Sequence, residues 1–322
     1  MSGAVSGAVS RVRRPGIAPA VAHHHHLLLL ADDVESDEVA SLVLSHVAGS
    51  QWTALPTPQL PGVLDLLPRH QRGSTHGAGD LPLALTERAT LTGPWRVDLR
   101  TRHALALPAW VTQAWVVDVE PDRSGPAPAL PHGYGPLLDA FGAHHPDGVE
   151  RQVLDVVHAC ARRLAGILRT TTGVLLEPDP DSAVDLTVHA PVWLTPEAMG
   201  HVLGPVLPGV TVLDGAVPTA ELDGYHAFWR PSERDDEPGV LVEAEGAEVL
   251  PAPLANAAWT GQGVVTYRLR WLAEGAEREP TTRGALRRRA SVREAIERAA
   301  AALRAVVGGE VLDEDGFLVD LA

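Results

Sequence analysis

Residues 149–168 read VERQVLDVVHACARRLAGIL. Val149, Gln152, Val153, Val156, Val157, Cys160, Leu164, Ile167 and Leu168 fall largely on one stripe at helical spacing. The pattern predicts an amphipathic helix over 148–169, packed on a core through that stripe. Gly173 marks the exit, and Val174-Leu175-Leu176 reads as a strand running into the turn Pro178-Asp179-Pro180-Asp181. A helix with one apolar stripe beside short strands implies helices laid on a sheet.

Working upstream, Leu27–Leu30 reads as a strand. Ser36 caps a helix carrying Val39, Leu42, Val43, His46 and Val47, with Gly49 as its stop. Residues 53–80, rich in Pro, Gly and His, read as a long loop. Strands are expected over 83–91, 95–102 and 115–120, the second from the period-two alternation of Arg96-Val97-Asp98-Leu99-Arg100. A Pro/Gly linker spans 121–135.

Downstream the same order of elements recurs. Ala183–Val188 is a strand, and Thr195-Pro196-Glu197 opens a helix. Strands follow near 225–229, 240–245 and 264–271. Ser291 is the expected cap of a helix over 292–307, stopped by Gly308-Gly309, and a hairpin turns at Asp315-Gly316. Four pieces also run parallel in residue type: Ser36-Asp37-Glu38 with Thr195-Pro196-Glu197, Val97–Pro108 with Val240–Pro251, Trp115–Val119 with Val264–Arg268, and Gly173–Glu177 with Gly309–Asp313.

The expectation is therefore an α+β chain of two tandem ferredoxin-like α/β sandwich units. Each would have an antiparallel sheet with helices on one face, and the two would form a pseudo-twofold pair with any pocket at the seam. The expected division is a flexible tail over 1–22, a first unit over 23–181 and a second over 182–322.

Composition narrows the class. The 322 residues are 45% hydrophobic and carry a net charge of −15, with all 26 basic residues being arginine. Such a balance disfavours phosphate backbones and anionic membranes, so neither nucleic acid nor membrane is an expected partner. No apolar run reaches the ~20 residues of a spanning helix, and no export signal is read after Arg11, Arg13 and Arg14. The one cysteine, Cys160, excludes an intrachain disulfide framework and fits a reducing compartment, so a cytoplasmic location is expected. The Ala/Val/Leu/Pro/Gly/Arg bias suits a high-GC bacterial genome. The arginines at 283 and 287–289 read as a solvated helix entry.

No phosphate loop, dinucleotide fingerprint or nucleophile elbow is present, so no cofactor is expected. The run His23–His26 offers the weak metal candidates His24 and His26, which would share a face if both lay on one strand. His144-His145 is the nearest thing to a second ligand cluster. Asp179-Pro180-Asp181 and Asp313-Glu314-Asp315-Gly316 lack the calcium-loop pattern and read as turns. The catalytic residues are unknown. The leading expectation is a non-catalytic binding or interaction protein with a protein or small-molecule partner, and the acidic surface would suit a basic one. The alternative is a small-molecule enzyme with a histidine/carboxylate, possibly metal-assisted, site between the halves. Convergence of His103, His189, His226, Asp185 and Glu243 would favour the enzyme.

Overall fold

In the computed structural model the described residues are 15–46, 51–52, 82–126, 135–213, 224–231, 238–273, 280 and 282–321. Residues 1–14 of the tail expected over 1–22, the loop over 53–80 and residues 127–134 of the 121–135 linker lie outside them. The chain is α+β and divides into two compact units, residues 1–40 with 50–178 and residues 41–49 with 179–322. Among the described residues no helix is long and apolar enough to cross a membrane.

The first unit begins inside the expected tail. Pro15 and Ile17 bond to the backbone of Arg96, and α1 (Pro19–His24) follows, with Ile17, Val21 and Ala22 buried. Then come β1 (His26–Leu30), α2 (Ser36–His46), β2 (Gln51–Trp52), β3 (Leu83–Thr86), β4 (Ala89–Arg96), α3 (Leu99–Ala104), β5 (Gln113–Val119), the single turn α4 (Pro136–Asp139), α5 (Gly148–Arg163), β6 (Ile167–Arg169) and β7 (Leu175–Leu176). The strands pair antiparallel in the order β2-β3-β4-β5-β1-β6-β7.

Helices cover both faces of this sheet, not one. Every residue of β1 is buried, so the strand needs cover on two sides. Leu27 and Leu29 pack with Ala114, Val116 and Ile167 against Ile17, Val21 and Ala22 of the α1 segment and Leu105 after α3. On the opposite face His26 bonds to Glu150 of α5. Each fully buried leucine of β1 stabilises the fold by about 2 kcal/mol.

Two expected elements in this unit are corrected. The alternation at 96–100 is not a strand, because the Asp98 carboxylate accepts from Thr101 N at 2.8 Å and caps α3. A side chain that satisfies the backbone locally competes with the sheet ladder. The helix expected over 148–169 stops at Arg163. Ala165 takes a left-handed φ of 49°, and Ile167-Leu168-Arg169 return as β6. A buried strand following a helix continues its apolar count, so spacing alone runs through the boundary.

The second unit comprises β8 (Leu186–Ala190), α6 (Pro196–Leu203), β9 (Thr211–Leu213), β10 (Tyr225–Trp229), β11 (Val240–Gly246), β12 (Val265–Trp271), α7 (Arg283–Val307) and β13 (Glu310–Asp313). Its strands pair antiparallel in the order β9-β10-β11-β12-β8-β13. The helix expected from Ser291 starts earlier, capped by Thr282, whose Oγ1 accepts from Ala285 N. The arginines at 283 and 287–289 therefore lie within α7, and Arg289 is buried against Asp179 at 2.7 Å. Val188, Ala227, Val242, Tyr267, Leu269 and Val311 pack one sheet face onto Met199 and Leu203 of α6 and Ile296, Ala299 and Leu303 of α7. Tyr267 and Tyr225 pin the loop between β8 and α6: the Tyr267 hydroxyl accepts from Leu194 N, and the Tyr225 hydroxyl donates to Leu194 O.

Matched in chain order, the two sheets have the same connectivity: β2-β3-β4-β5-β1-β6 corresponds to β9-β10-β11-β12-β8-β13. The helix exits match as well. Ala165 and Gly308 (φ 71°) hold corresponding left-handed positions, each followed by a glycine. A Cβ on Gly166 would stand 2.7 Å from the Leu29 carbonyl oxygen, and one on Gly309 would strike the carbonyl oxygen of His189. This registers Leu29 with His189 and Leu27 with Thr187. The sequence parallels joining Ser36 to Thr195 and Trp115–Val119 to Val264–Arg268 connect corresponding elements. Those pairing 97–108 with 240–251, and Gly173–Glu177 with Gly309–Asp313, do not.

Candidate functional site

One face of the second unit's sheet is built from polar side chains. Strand periodicity sends Leu186, Val188 and Ala190 to the core and Thr187 and His189 outward. In β12, Tyr267 and Leu269 turn inward while Thr266, Arg268 and Arg270 turn outward. In β11, Glu243 and Glu245 share the outer side. The register then builds polar rows across the strands. Glu310, His189, Thr266 and Glu245 form one; Leu312, Thr187, Arg268, Glu243 and His226 form the next. Opposite charges sit directly across from one another or one step off. Arg268 pairs with Glu245 at 2.7 Å, and Arg270 with Glu243 at 3.1 Å.

Part of this face sinks into a hollow of about 590 Å³. Its lining includes Thr187, His189, Glu245, Thr266, Arg268 and Asp313. His189 is 6% exposed, and its buried Nδ1 has no hydrogen-bond partner among the described residues. Burial, reinforced by the nearby Arg268 charge, pushes its pKa down to about 4, so the ring is uncharged near neutral pH. Thr266 Oγ1 donates to Glu245 O at 3.3 Å. An uncharged imidazole with an unused nitrogen, two threonines and an ion pair in one concavity can bind a polar ligand. In the first unit the corresponding positions are Leu27, Leu29, Ala114 and Val116, and α1 and α3 cover them.

Comparison of the chain with protein-family models, with curated proteins and with solved structures finds no match. The reading of the site therefore stands on its own chemistry.

The first unit holds a second polar cluster, and it is closed. Glu150 is fully buried. Its Oε1 accepts from His26 Nε2 at 3.0 Å and from Arg123 at 2.7 Å, and its Oε2 accepts from Asp122 N at 2.9 Å. Thr171 N donates to His26 Nδ1 at 3.1 Å. That bond fixes the Nε2–H tautomer facing the carboxylate. Phe141 packs on both His26 and Arg123, its ring centroid 5.8 Å from that of His26 and 4.2 Å from the Arg123 guanidinium carbon. Every oxygen of Glu150 is engaged, so the cluster reads as a pin holding α5, β1 and the 120–124 segment together.

The residues singled out from sequence are scattered. His24 ends α1, exposed, while His26 starts β1, buried, so the two do not share a strand face. Among the described residues no group of three or more His, Cys, Asp or Glu side chains is placed to hold a metal ion. His103 lies on α3 in the first unit. His226 is exposed on β10 opposite Glu243, and Asp185 accepts from Trp271 N at 2.8 Å. His189 alone of the five lines the hollow. Asp179 caps a single turn, and Asp313 accepts from Asp315 N and Phe317 N, as turn carboxylates do. Cys160 is a buried core residue of α5. Sequence reading missed Thr187, Thr266 and Arg268. Their signal was present in the alternation of Leu186-Thr187-Val188-His189 and of Thr266-Tyr267-Arg268-Leu269-Arg270.

Proposed function

We propose that this chain is a non-catalytic cytoplasmic binding protein, built from two copies of one ferredoxin-like unit, whose recognition surface is the open sheet face of the second copy. The shared strand order supports the duplication. So does its core, fourth-first-third-second in β13-β8-β12-β11 and again in β6-β1-β5-β4, as in a β-α-β-β-α-β unit with a hairpin added at the far edge. The matched glycine exits at Gly166 and Gly309 add a second, independent correspondence. The recognition surface rests on one observation above the rest: a hollow of about 590 Å³ in that face, lined by Thr187, His189, Thr266 and the Arg268–Glu245 ion pair. A face of this kind is retained for contact with something other than its own helices.

The test is chemical-shift mapping on the full chain with charged small molecules and short peptides of both signs. Binding should move the resonances of Thr187, His189, Thr266 and Arg268 together. Shifts confined to other surfaces would overturn the assignment. A histidine/carboxylate enzyme is the second reading, favoured by the uncharged His189 imidazole, which has the protonation state of a general base. Its readout is turnover of a bound compound, abolished by H189L.

A further inference from the structure

We propose that the first two turns of α7 are a docking surface for a short acidic segment of a partner protein, gripped by Arg283, Arg287 and Arg288. α7 packs on the inner face of the second sheet, so this surface is separate from the hollow on the outer face. Its charge is opposite to that of the chain as a whole, which is −15.

Each of the other arginines of α7 has a carboxylate. Arg289 pairs with Asp179 at 2.7 Å, Arg293 with Asp181 at 3.1 Å and with Glu297 at 3.0 Å, Arg298 with Glu294 at 2.7 Å, and Arg304 with Glu310 and Asp320, both at 3.6 Å. Arg283, Arg287 and Arg288 are exposed and meet no carboxylate among the described residues. Yet the chain carries 41 acidic residues against 26 basic ones. The placement also works against the helix. No acidic residue occupies the first turn, where the macrodipole is positive, and Arg283 and Arg287 stand one turn apart as like charges. Helix stability therefore does not account for these arginines, whereas an anionic partner does.

The shape of the stripe selects the partner. Ala285, Arg289, Val292 and Ala295 mark the buried side of α7. Arg283, Leu286, Arg287 and Ala290 fall on the exposed side, with Arg288 at its flank. Leu286 is 42% exposed and offers apolar surface to the methylenes of a glutamate. The axial step from Arg283 to Arg287 is about 6 Å. Alternate residues of an extended chain lie about 6.8 Å apart, so carboxylates on every second residue match the arginines, each of which takes one in a charge-assisted bond. The stripe is about 10 Å long, close to the ~8 Å screening length at physiological salt. A segment of about four residues sits wholly within that field. A nucleic acid or membrane surface extends past it and meets the repulsion of an acidic chain.

The test uses the full chain and a fluorescein-labelled peptide of alternating glutamate and alanine, read by fluorescence anisotropy. Companion probes are the same peptide with glutamine or lysine in place of glutamate, a short uridine oligonucleotide and phosphatidylserine vesicles. The glutamate peptide should bind, and more weakly as salt rises. R283Q/R287Q/R288Q should lose about tenfold or more in affinity, while R298Q, which removes a paired arginine of the same helix, should leave it unchanged. Glutamine keeps the helix propensity of arginine, and circular dichroism checks the fold. R283E/R287E/R288E should release the glutamate peptide and take up the lysine peptide, a reversal that unfolding does not produce. Failure of the glutamate peptide to bind, equal binding of the glutamine peptide, or binding that survives the triple glutamine change overturns the proposal. Oligonucleotide or vesicle binding through the three arginines, with no binding of the peptide, overturns the choice of partner.

Discussion

Replacing Glu150 with glutamine tests how the first unit is held together. E150Q keeps the side-chain volume but turns one carboxylate oxygen into an NH₂ donor. One side of the carboxylate faces two donors, His26 Nε2 at 3.0 Å and Arg123 at 2.7 Å; the other faces Asp122 N at 2.9 Å. Whichever way the amide turns, its NH₂ meets another donor. Arg123 also loses its counter-charge. Removing one partner of a buried ion pair costs about 3–5 kcal/mol. The Arg123 side chain is 25% exposed and recovers some hydration, so the lower end applies, about 3 kcal/mol. For a unit of this size that corresponds to a fall in Tm of roughly 6–12 °C. The assay is urea denaturation of the full chain followed by near-UV circular dichroism, with Trp115 fully buried in β5 as the reporter. Pairing E150M with R123M removes both charges and should cost less than the sum of the single changes. If E150Q stays within about 0.5 kcal/mol of the parent, or the two methionine changes add, the pin does not exist as described.

Gly309→Ala forces a Cβ against the His189 carbonyl and within 2.8 Å of Ala190 Cα, at a φ of 81°; it should destabilise the second unit by at least about 2 kcal/mol, read by thermal unfolding. His189 has a folded pKa of about 4, below the ordinary 6.5, so the unfolded chain binds the extra proton first. Stability should therefore be complete above about pH 6.5 and fall as pH drops toward 4, by roughly 3 kcal/mol in full, and H189L should flatten that slope in a pH series of denaturation curves. Tyr225→Phe strips the donor from Leu194 O, and Tyr267→Phe strips the acceptor from Leu194 N. Each should cost about 1–3 kcal/mol, and hydrogen exchange at the Leu194 amide should accelerate in the Tyr267 variant. Unchanged exchange there would remove the tyrosine from the pin.

Element type was largely legible from local pattern. Leu27–Leu30, the helix opened by Thr195-Pro196 and the alternating strands at 225–229, 240–245 and 264–271 follow from periodicity and caps, which are properties of neighbouring residues. Boundaries failed where a local bond or a long-range contact overrode periodicity. Asp98 bonding to Thr101 N made a helix from an alternating stretch. Gly166, pressed on the Leu29 carbonyl, ended a stripe whose apolar count ran on. The candidate site was less legible than the fold. His189 stood out by residue type, but Thr187, Thr266, Arg268 and Glu245 look like ordinary outward strand positions until the register sets them side by side.

What the chain alone determined was therefore the α+β class, the net acidity and the alternation of polar and apolar residues along each strand. These depend on composition and on contacts within a few residues. Only the tertiary structure decided that Glu150 is buried against His26 and Arg123, that α1 and α3 cover the first sheet's second face, and that His189 is buried beside Thr266 and Arg268 in a hollow. Each of those depends on residues brought together across the sheet from distant parts of the chain, such as positions 26 and 150, and no local pattern encodes which distant partner arrives, or whether one arrives at all.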